Sequence, residues 1–232
     1  MTQPPPSLQP SLPAPLAQAL AEVQALARAG RAGEARARCA ALREALAPTA
    51  PAAERLAVSW AWADLLSMGD EHEEALEAYA ACAPLLAAAG RRREQVVCAN
   101  NRGYHLGMLG RRDETLAALR EAREAARPLG QPLLLRAYVA LAHWHAAFGQ
   151  ADEAESDARV AVQQARTWAD PAELGQALVQ LARVLARTPR TDRALLAYTE
   201  GVAALEQAGR ATAAAAARAE LEALAAVPPG AR

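Results

Sequence analysis

The chain has 232 residues, a formal net charge of −1 and 53% hydrophobic residues, of which few are aromatic. This length suits one domain or two small ones and allows a substantial core. The near-neutral charge does not support nucleic-acid binding, which usually needs a basic excess. No uncharged apolar run is long enough to cross a membrane, and the start does not resemble a signal peptide. We therefore expect a cytoplasmic protein that binds neither nucleic acid nor a membrane.

Residues 1–14 are rich in proline and are predicted to form a disordered tail. After this tail, apolar residues recur at three- and four-residue steps, which is typical of amphipathic helices. Eleven helices are predicted, and in chain order they cover 16–29, 32–47, 52–68, 71–89, 91–109, 112–127, 132–148, 151–167, 172–187, 191–208 and 211–226. Pro84 is predicted to kink the fourth helix or to end it early. Residues 227–232 are predicted to be frayed.

A small residue recurs about every 40 residues along the chain. It occupies Ala35, Ala75, Thr115, Ala154 and Ala194. A turn residue precedes each of these positions, at Gly30, Gly69, Gly110, Gly149 and Pro189. Regular spacing of this kind indicates helical hairpins that complete one core by stacking on their neighbours. The pattern predicts an all-α chain of five hairpins closed by a C-terminal capping helix.

The repeat resembles the tetratricopeptide repeat (TPR) family. In the third unit, the family's small crossing residue, its turn glycine and its later small and large positions correspond to Gly103, Gly110, Glu114–Thr115, Leu119 and Ala122. The period is longer than the usual 34 residues. In this respect it is similar to the repeats of bacterial transcriptional activators and signalling ATPases. The resemblance implies an α-α superhelical solenoid over residues 15–226, and it is specific for the fold rather than for the function.

No motif indicates a catalytic site, a cofactor or a metal. Gly103, Gly107 and Gly110 do not form a Walker loop, because that loop needs a lysine and the chain contains none. Gly107 has no counterpart in the other repeats. His143 and His145 point in different directions on a helix, so one metal ion cannot easily use both. We therefore predict a protein that is not an enzyme and holds no cofactor.

The resemblance also places the first helix of each hairpin on a concave face. Counting back from each turn projects a set of mostly polar and aromatic residues onto this face. Ten of them are the candidate contacts: Trp60, Asp64, Asn100, Asn101, Tyr104, Arg136, His143, Gln180, Arg183 and Arg187. Their amide, aromatic and guanidinium groups suit a peptide backbone or a carboxylate. In family members that bind extended peptides, an asparagine at the position of Asn101 often holds the peptide backbone. The alternative interpretation is a solvated polar face without a ligand.

Two functions remain open at this point. The preferred one is a protein- or peptide-binding adaptor or regulatory module in bacterial signalling or transcription regulation, acting as a monomer or homodimer. The alternative is a self-assembling structural scaffold. The final helix is rich in alanine, which argues mildly for a cap and against stacking. Replacing Asn101 or Arg183 with alanine is expected to weaken partner binding without lowering the melting temperature.

Overall fold

The computed structural model describes residues 12–69, 71–130, 132–188 and 190–227, and the regular structure in these residues is helical. The helices are α1 (Ala14–Arg28), α2 (Ala32–Ala45), α3 (Ala52–Ser67), α4 (His72–Ala88), α5 (Arg92–Met108), α6 (Arg112–Ala126), α7 (Leu133–Ala147), α8 (Ala151–Trp168), α9 (Pro171–Leu185), α10 (Thr191–Gln207) and α11 (Ala211–Ala225). A 3-10 turn at Arg127–Leu129 follows α6. Every predicted helix is present, and its ends differ from the prediction by at most two residues. No helix in the described ranges is both long and apolar enough to cross a membrane.

Contacts divide the chain into two compact units, which we call unit 1 (up to Ala118) and unit 2 (from Leu119). In unit 1, α3 packs against α1, α2 and α4, and α4 also packs against α5. In unit 2, α9 packs against α7, α8 and α10, and α10 also packs against α11. In both units, successive first helices thus contact each other as well as the helix between them, as stacked hairpins do. The single domain over 15–226 stays a prediction, and the predicted tail and frayed end fall mostly outside the described residues.

The recurring small residues lie where helices cross. All five of them are 0% exposed: Ala35, Ala75, Thr115, Ala154 and Ala194. A second close approach joins Gly175 of α9 to Gly201 of α10 in unit 2. A Cβ atom on Gly175 would lie 2.6 Å from Leu205 Cγ and 3.0 Å from the Gly201 carbonyl oxygen. At this crossing the two backbones leave no room for a side chain.

Gly110 ends α5 with a φ of +72°. The Gly110 N–H donates to the Gly107 carbonyl and the Arg111 N–H to the Leu106 carbonyl, both at 2.9 Å. These two bonds form a Schellman motif, and its left-handed residue is most often glycine because a Cβ atom is strained there. The turn predicted for Gly110 is confirmed, whereas the one predicted at Pro189 lies outside the described residues. Gly103 and Gly107 are both buried in α5.

Helix α4 continues through Pro84 to Ala88, so the predicted early end is wrong. Pro84 lies on the exposed side of the helix. On the opposite side, Tyr79, Cys82 and Leu86 are fully buried. Proline removes one backbone hydrogen bond from a helix interior. The burial of these three side chains holds the helix together across that missing bond.

Candidate functional site

A cluster of polar side chains connects α3, α4 and α5 in unit 1. At its centre, the Tyr79 hydroxyl donates to Asp64 Oδ1 at 2.9 Å and accepts from Asn101 Nδ2 at 2.8 Å. Ser67 Oγ lies 3.1 Å from the same hydroxyl oxygen. Tyr79 is 0% exposed, so these bonds replace the water that its hydroxyl would otherwise contact. The cluster therefore holds the Asn101 amide in one orientation.

Two histidines extend the cluster. His105 Nε2 lies 2.8 Å from Ser67 Oγ, and His105 Nδ1 lies 3.1 Å from His72 Nδ1. The Ser67 hydroxyl donates to the Ala63 carbonyl at 2.9 Å. With the Ser67 proton on that bond, His105 donates from Nε2 to Ser67, and its Nδ1 accepts from His72. This proton arrangement satisfies both nitrogens of a neutral His105.

Burial sets the protonation of this cluster. It raises the pKa of Asp64 to about 6, against the opposing hydrogen bonds from Tyr79 and Trp60. Burial, together with the charge of His72, lowers the pKa of His105 to about 4. Burial and the nearby Asp64 raise the pKa of Tyr79 well above its usual range. At neutral pH the cluster therefore contains an ionised Asp64, a neutral His105 and a protonated Tyr79.

Ser67 and His105 are as close as a nucleophile and its general base, but they differ from such a pair in two ways. A general base must become an imidazolium, and the lowered pKa of His105 disfavours that form. The Ser67 hydroxyl also donates to the Ala63 carbonyl rather than to His105. Across the residues that the structure describes, no group of three His, Cys, Asp or Glu side chains could hold a metal ion. The geometry therefore suits an internal hydrogen-bond network.

An exposed face of α5 adjoins this cluster, and we call it the α5 face. Its members are Asn100, Asn101, Tyr104 and Met108. Tyr104 is 46% exposed and Met108 is 49% exposed. The Tyr104 ring stands edge-on to His105 and to His72, with centroid distances of 5.2 and 6.3 Å. Residues four apart lie on the same side of a helix, so the apolar and amide groups form one surface.

Asn100 contributes an unpaired acceptor to the α5 face. Its Oδ1 atom is shielded from solvent and has no hydrogen-bond partner among the described residues. A buried polar atom without a partner costs about 1–3 kcal/mol. The residue as a whole is partly exposed, but Oδ1 does not lie on the exposed part. Only a rotation of the amide would present this acceptor to a ligand.

Two of the predicted groove residues are buried instead. Trp60 is 3% exposed and stands edge-on to Tyr79 at a centroid distance of 5.8 Å, and Gln180 is 5% exposed. The surface position predicted for these two residues is therefore wrong. Counting back from a turn gives the position of a residue along the helix axis. It does not give the rotation of the helix about that axis, and this rotation decides whether a residue near the edge of a face is buried.

The predicted residues of unit 2 carry mostly positive charge, and one of them already has a strong partner. Arg183 Nε and an Nη atom donate to the two carboxylate oxygens of Glu220 in α11, at 2.8 and 2.7 Å. The Tyr198 hydroxyl donates to Glu220 Oε2 at 2.8 Å. Arg183, more than Tyr198, lowers the pKa of Glu220. Arg183 therefore helps to hold α11 against its neighbouring helices, and its guanidinium group is already paired with a carboxylate.

The remaining cations of unit 2 are more open. Arg136 forms an exposed ion pair with Glu173 at 3.3 Å. Burial, followed by the charges of Arg183 and Arg187, lowers the pKa of His143. Arg187 is exposed, and no described carboxylate forms an ion pair with it. Arg187 is thus the predicted residue of unit 2 that is most available to an anionic group.

Replacing Glu220 with glutamine is expected to lower the free energy of unfolding by about 1 kcal/mol at low salt. The change keeps the size of the side chain but removes the charge that holds Arg183, and both side chains are partly exposed. Urea unfolding at low and high salt measures the effect, which should shrink as salt screens the pair. The exposed pair of Glu22 and Arg38 provides a control, because Glu22→Gln should change little. Equal stability of Glu220→Gln and wild type at low salt would contradict the assignment.

No protein-family model and no curated protein matches this sequence. Solved structures do match it. A Rap protein complexed with competence and sporulation factor has a TM-score of 0.73 and 16% identity, covering 88% of this chain and 57% of that chain. A signal transduction ATPase with numerous domains and a tetratricopeptide repeat sensor, from Pyrococcus horikoshii, has a TM-score of 0.76 and 13% identity, covering 93% and 34%. The Rap conjugation gene regulator of plasmid pLS20, in complex with the Phr* peptide, has a TM-score of 0.66 and 17% identity, covering 83% and 53%.

The chain has the tetratricopeptide-repeat fold. The resemblance seen in the repeat spacing is confirmed at the level of the fold, which is all that identities of 13–17% show. The chain spans 57% of the length of the Rap protein it matches. Within this tetratricopeptide-repeat chain, α3 and α5 are the first helices of successive hairpins. The polar cluster joins them through α4, the second helix between them.

The sequence interpretation misses the residues that hold the candidate site together. Tyr79 and Tyr198 both lie four positions after the recurring small residue, and the sequence assigns neither of them to the site. In this tetratricopeptide-repeat chain, both bring a hydroxyl to a carboxylate from a different helix, Asp64 and Glu220. The recurrence of tyrosine at this repeat position is the sequence signal that could have identified these residues. The repeat pattern does not identify the carboxylate that each tyrosine contacts.

Proposed function

We propose that the chain is a protein- or peptide-binding regulatory module and that the α5 face is its contact surface. The observation that carries this proposal is the exposure of Tyr104 and Met108 beside two amide side chains. An aromatic ring and a thioether offer large and adaptable apolar contacts. The amides of Asn100 and Asn101 offer donors and acceptors to the backbone of an extended segment. A peptide needs both kinds of contact.

The organisation of the cluster beneath the face supports this role. Asp64 accepts from Tyr79, and Tyr79 accepts from Asn101, so the Asn101 amide is oriented before any ligand arrives. A side chain that is already ordered loses less conformational entropy on binding. The Asn101 amide nitrogen keeps a second hydrogen that Tyr79 does not use. That hydrogen can be donated to a backbone carbonyl of a ligand.

The similar structures support a class of ligand and a biological context. The Rap conjugation regulator is in complex with a peptide, which supports a peptide ligand for this chain. The signal transduction ATPase carries its tetratricopeptide repeats as a sensor. We propose in addition that this chain acts in bacterial signalling or transcription regulation, as a cytoplasmic adaptor without catalytic activity. At these low identities, the similar structures give no information about the sequence of the ligand.

A self-assembling scaffold receives less support. Edge-to-edge stacking of repeats needs an apolar outer face on the last helix. Ala214 and Ala217 of α11 face inward and are buried, while Leu221 and Leu224 are partly buried against the core of unit 2. The exposed residues of α11 are mostly alanine and charged side chains. This composition suits a cap that ends the repeat stack.

Selection of short random peptides against the wild-type protein, followed by anisotropy titration of labelled winners, tests the proposal. Replacing Tyr104 with alanine is expected to weaken binding at least about tenfold, which corresponds to about 1.4 kcal/mol of lost apolar contact. Asn101→Ala is expected to weaken binding as well. It should also lower the unfolding free energy by about 1 kcal/mol, because it removes the hydrogen bond to Tyr79. Because of this hydrogen bond we expect a lower melting temperature for Asn101→Ala, in place of the unchanged one expected from the sequence alone.

The matched control is Trp168→Ala, which removes a partly exposed aromatic side chain at the end of α8 in unit 2. Its affinity for the selected peptides should equal that of the wild type. Failure to enrich any peptide would refute the proposed function. Peptides that bind Tyr104→Ala and wild type equally would place the contact surface elsewhere.

A further inference from the structure

A groove of about 610 Å³ crosses α8, α9 and α10 in unit 2, and we call it the α8–α10 groove. Its floor comes from α9, where Leu178, Leu181 and Leu185 follow each other at steps of three and four residues. Val162 of α8 and Ala197 of α10 complete the floor. None of these residues belongs to the proposed peptide surface. The groove therefore needs a separate explanation.

The most exposed large apolar side chain of the described residues stands at this groove. Leu196 of α10 is 71% exposed and lines the groove together with the partly buried Leu181. A single exposed leucine is ordinary on a protein surface. Here the leucine is continuous with an apolar floor, so the exposed area is larger than one side chain. Covering this area would be favourable by the hydrophobic effect.

The walls of the groove are basic. Arg159, Arg166 and Arg193 line it, against one carboxylate, Glu200. Arg166 donates to both carboxylate oxygens of Glu200, at 2.7 and 2.9 Å, and this pair joins α8 to α10 at one end. At the other end, no described carboxylate forms an ion pair with Arg193. The lining thus carries an excess of positive charge.

The carboxylate that pairs with Arg159 does not neutralise this excess. The only described ion pair of Arg159 is with Glu155 on the same helix, at 2.6 Å. Arg190 forms an ion pair with the same carboxylate. One buried carboxylate, Glu155, is therefore shared by two guanidinium groups, and Arg159, one of the two, lines the groove together with Arg193. This end of the groove is complementary to an acidic partner.

We propose that the α8–α10 groove binds an acidic amphipathic helix of a partner protein. The stretch of α8 from Arg159 to Thr167 that lines the groove is about 12 Å long, or about two helical turns. This length matches a helix that inserts apolar anchors at positions i, i+4 and i+7. The anchors cover Leu196 and the leucine floor, and carboxylates on the flanks of the helix face Arg159 and Arg193. This contact is distinct from the α5 face and adds a second binding surface.

The proline-rich start of the chain is a poor occupant of this groove. Residues 1–11 contain no acidic side chain that could face the arginines. Proline-rich segments also dock on aromatic side chains. No described aromatic residue lines the groove. The charge and the lining both favour an acidic helix over this segment.

A labelled helical peptide with leucine at i, i+4 and i+7 and glutamate on both flanks is the probe, read by fluorescence anisotropy. We expect saturable binding that weakens as salt rises. Arg193→Glu and Leu196→Glu should each weaken it at least about tenfold, because both put a carboxylate against the acidic helix. The same peptide with lysine in place of every glutamate should bind at least about tenfold more weakly. Arg210→Glu is the matched control, since it makes the same charge change at an exposed site outside the groove.

Absence of binding would overturn the proposal, as would equal binding of the acidic and basic peptides. Unchanged affinity in both groove variants would overturn it as well. Light scattering tests whether the groove instead binds a second copy of this chain. Self-association that Leu196→Glu abolishes, and that the acidic peptide does not displace, would make the groove a self-interface and refute the proposal. Tyr104→Ala should bind the acidic peptide with the affinity of the wild type. Failure of the groove proposal would therefore leave the proposal for the α5 face unaffected, and the reverse also holds.

Discussion

Replacing Asp64 with asparagine is expected to raise the free energy of unfolding at about pH 7.5 and to bring much less gain at about pH 4. Burial raises the pKa of Asp64 from 3.8 to about 6 in the folded protein. The unfolded chain therefore ionises this group more easily than the folded protein does. The wild type loses stability as the pH rises from about 4 to about 6, by about 3 kcal/mol from this group. Asparagine avoids that loss and still accepts a hydrogen bond from Tyr79.

His105 adds to this prediction, because its contribution to the pH dependence of the unfolding free energy has the opposite sign to that of Asp64. Its pKa falls from 6.5 in its ordinary state to about 4 in the folded protein. The stability that the neutral histidine contributes is present above pH 6.5 and is lost as the pH falls towards 4. In the wild type, Asp64 offsets this loss over the same range. The Asp64→Asn protein should therefore lose stability on acidification more steeply than the wild type.

Urea unfolding of both proteins at a series of pH values measures the effect. The difference between the two stability curves isolates Asp64, because every other titrating group is common to both proteins. Asp113→Asn, at an exposed acid in the first turn of α6, is the control and should not reproduce the gain at about pH 7.5. Parallel curves for Asp64→Asn and wild type would contradict the ionised, buried state assigned to Asp64.

Replacing Gly175 with valine is expected to lower the free energy of unfolding by at least about 3 kcal/mol. The new Cβ atom would lie 2.6 Å from Leu205 Cγ and 3.0 Å from the backbone oxygen of Gly201. Leu205 could move in part, but the Gly201 backbone belongs to the facing helix and cannot yield without separating α9 from α10. Gly201 is equally confined, since a Cβ there would lie 3.1 Å from Val179 Cγ2. Chemical denaturation followed by circular dichroism measures the loss.

Gly33 gives the matched comparison for this substitution. It lies in the first turn of α2, and no atom lies within 4 Å of the Cβ that it would acquire. Gly33→Ala should leave stability unchanged or raise it by up to about 1 kcal/mol, because alanine is the better helix former. A Gly175→Val protein as stable as the wild type would mean that α9 and α10 do not approach each other this closely.

The helices and their pairing into repeats could be predicted from the sequence, because both depend on local patterns. Apolar spacing at three and four residues places each helix, and glycines such as Gly110 mark the ends. The small residue at Ala35 and its counterparts marks the crossings, where only a small side chain fits. Pro84 shows the limit of local reasoning. Its helix continues because buried side chains on the opposite face outweigh one lost backbone bond.

The candidate site could be predicted only in part. Repeat position correctly located Tyr104 on an exposed surface, but it placed Trp60 there as well. It identified Asn101 without its anchor, Tyr79, and Arg183 without its partner, Glu220. These partners lie 22 and 37 residues away in the chain. Whether two such side chains meet depends on the rotation and tilt of whole helices.

The sequence by itself thus determined the helices, the forty-residue repeat and the tetratricopeptide-repeat fold, since each follows from interactions within a helix or between neighbouring helices. The tertiary structure alone decided which polar groups are buried, which are paired and which stay open. It placed His105 in the interior and paired Asp64 with the buried Tyr79. It also left Tyr104 at the surface and opened the groove lined by Leu196. The reason is physical: a side chain's exposure and charge state depend on what packs against it, and in a repeat stack that neighbour belongs to another helix.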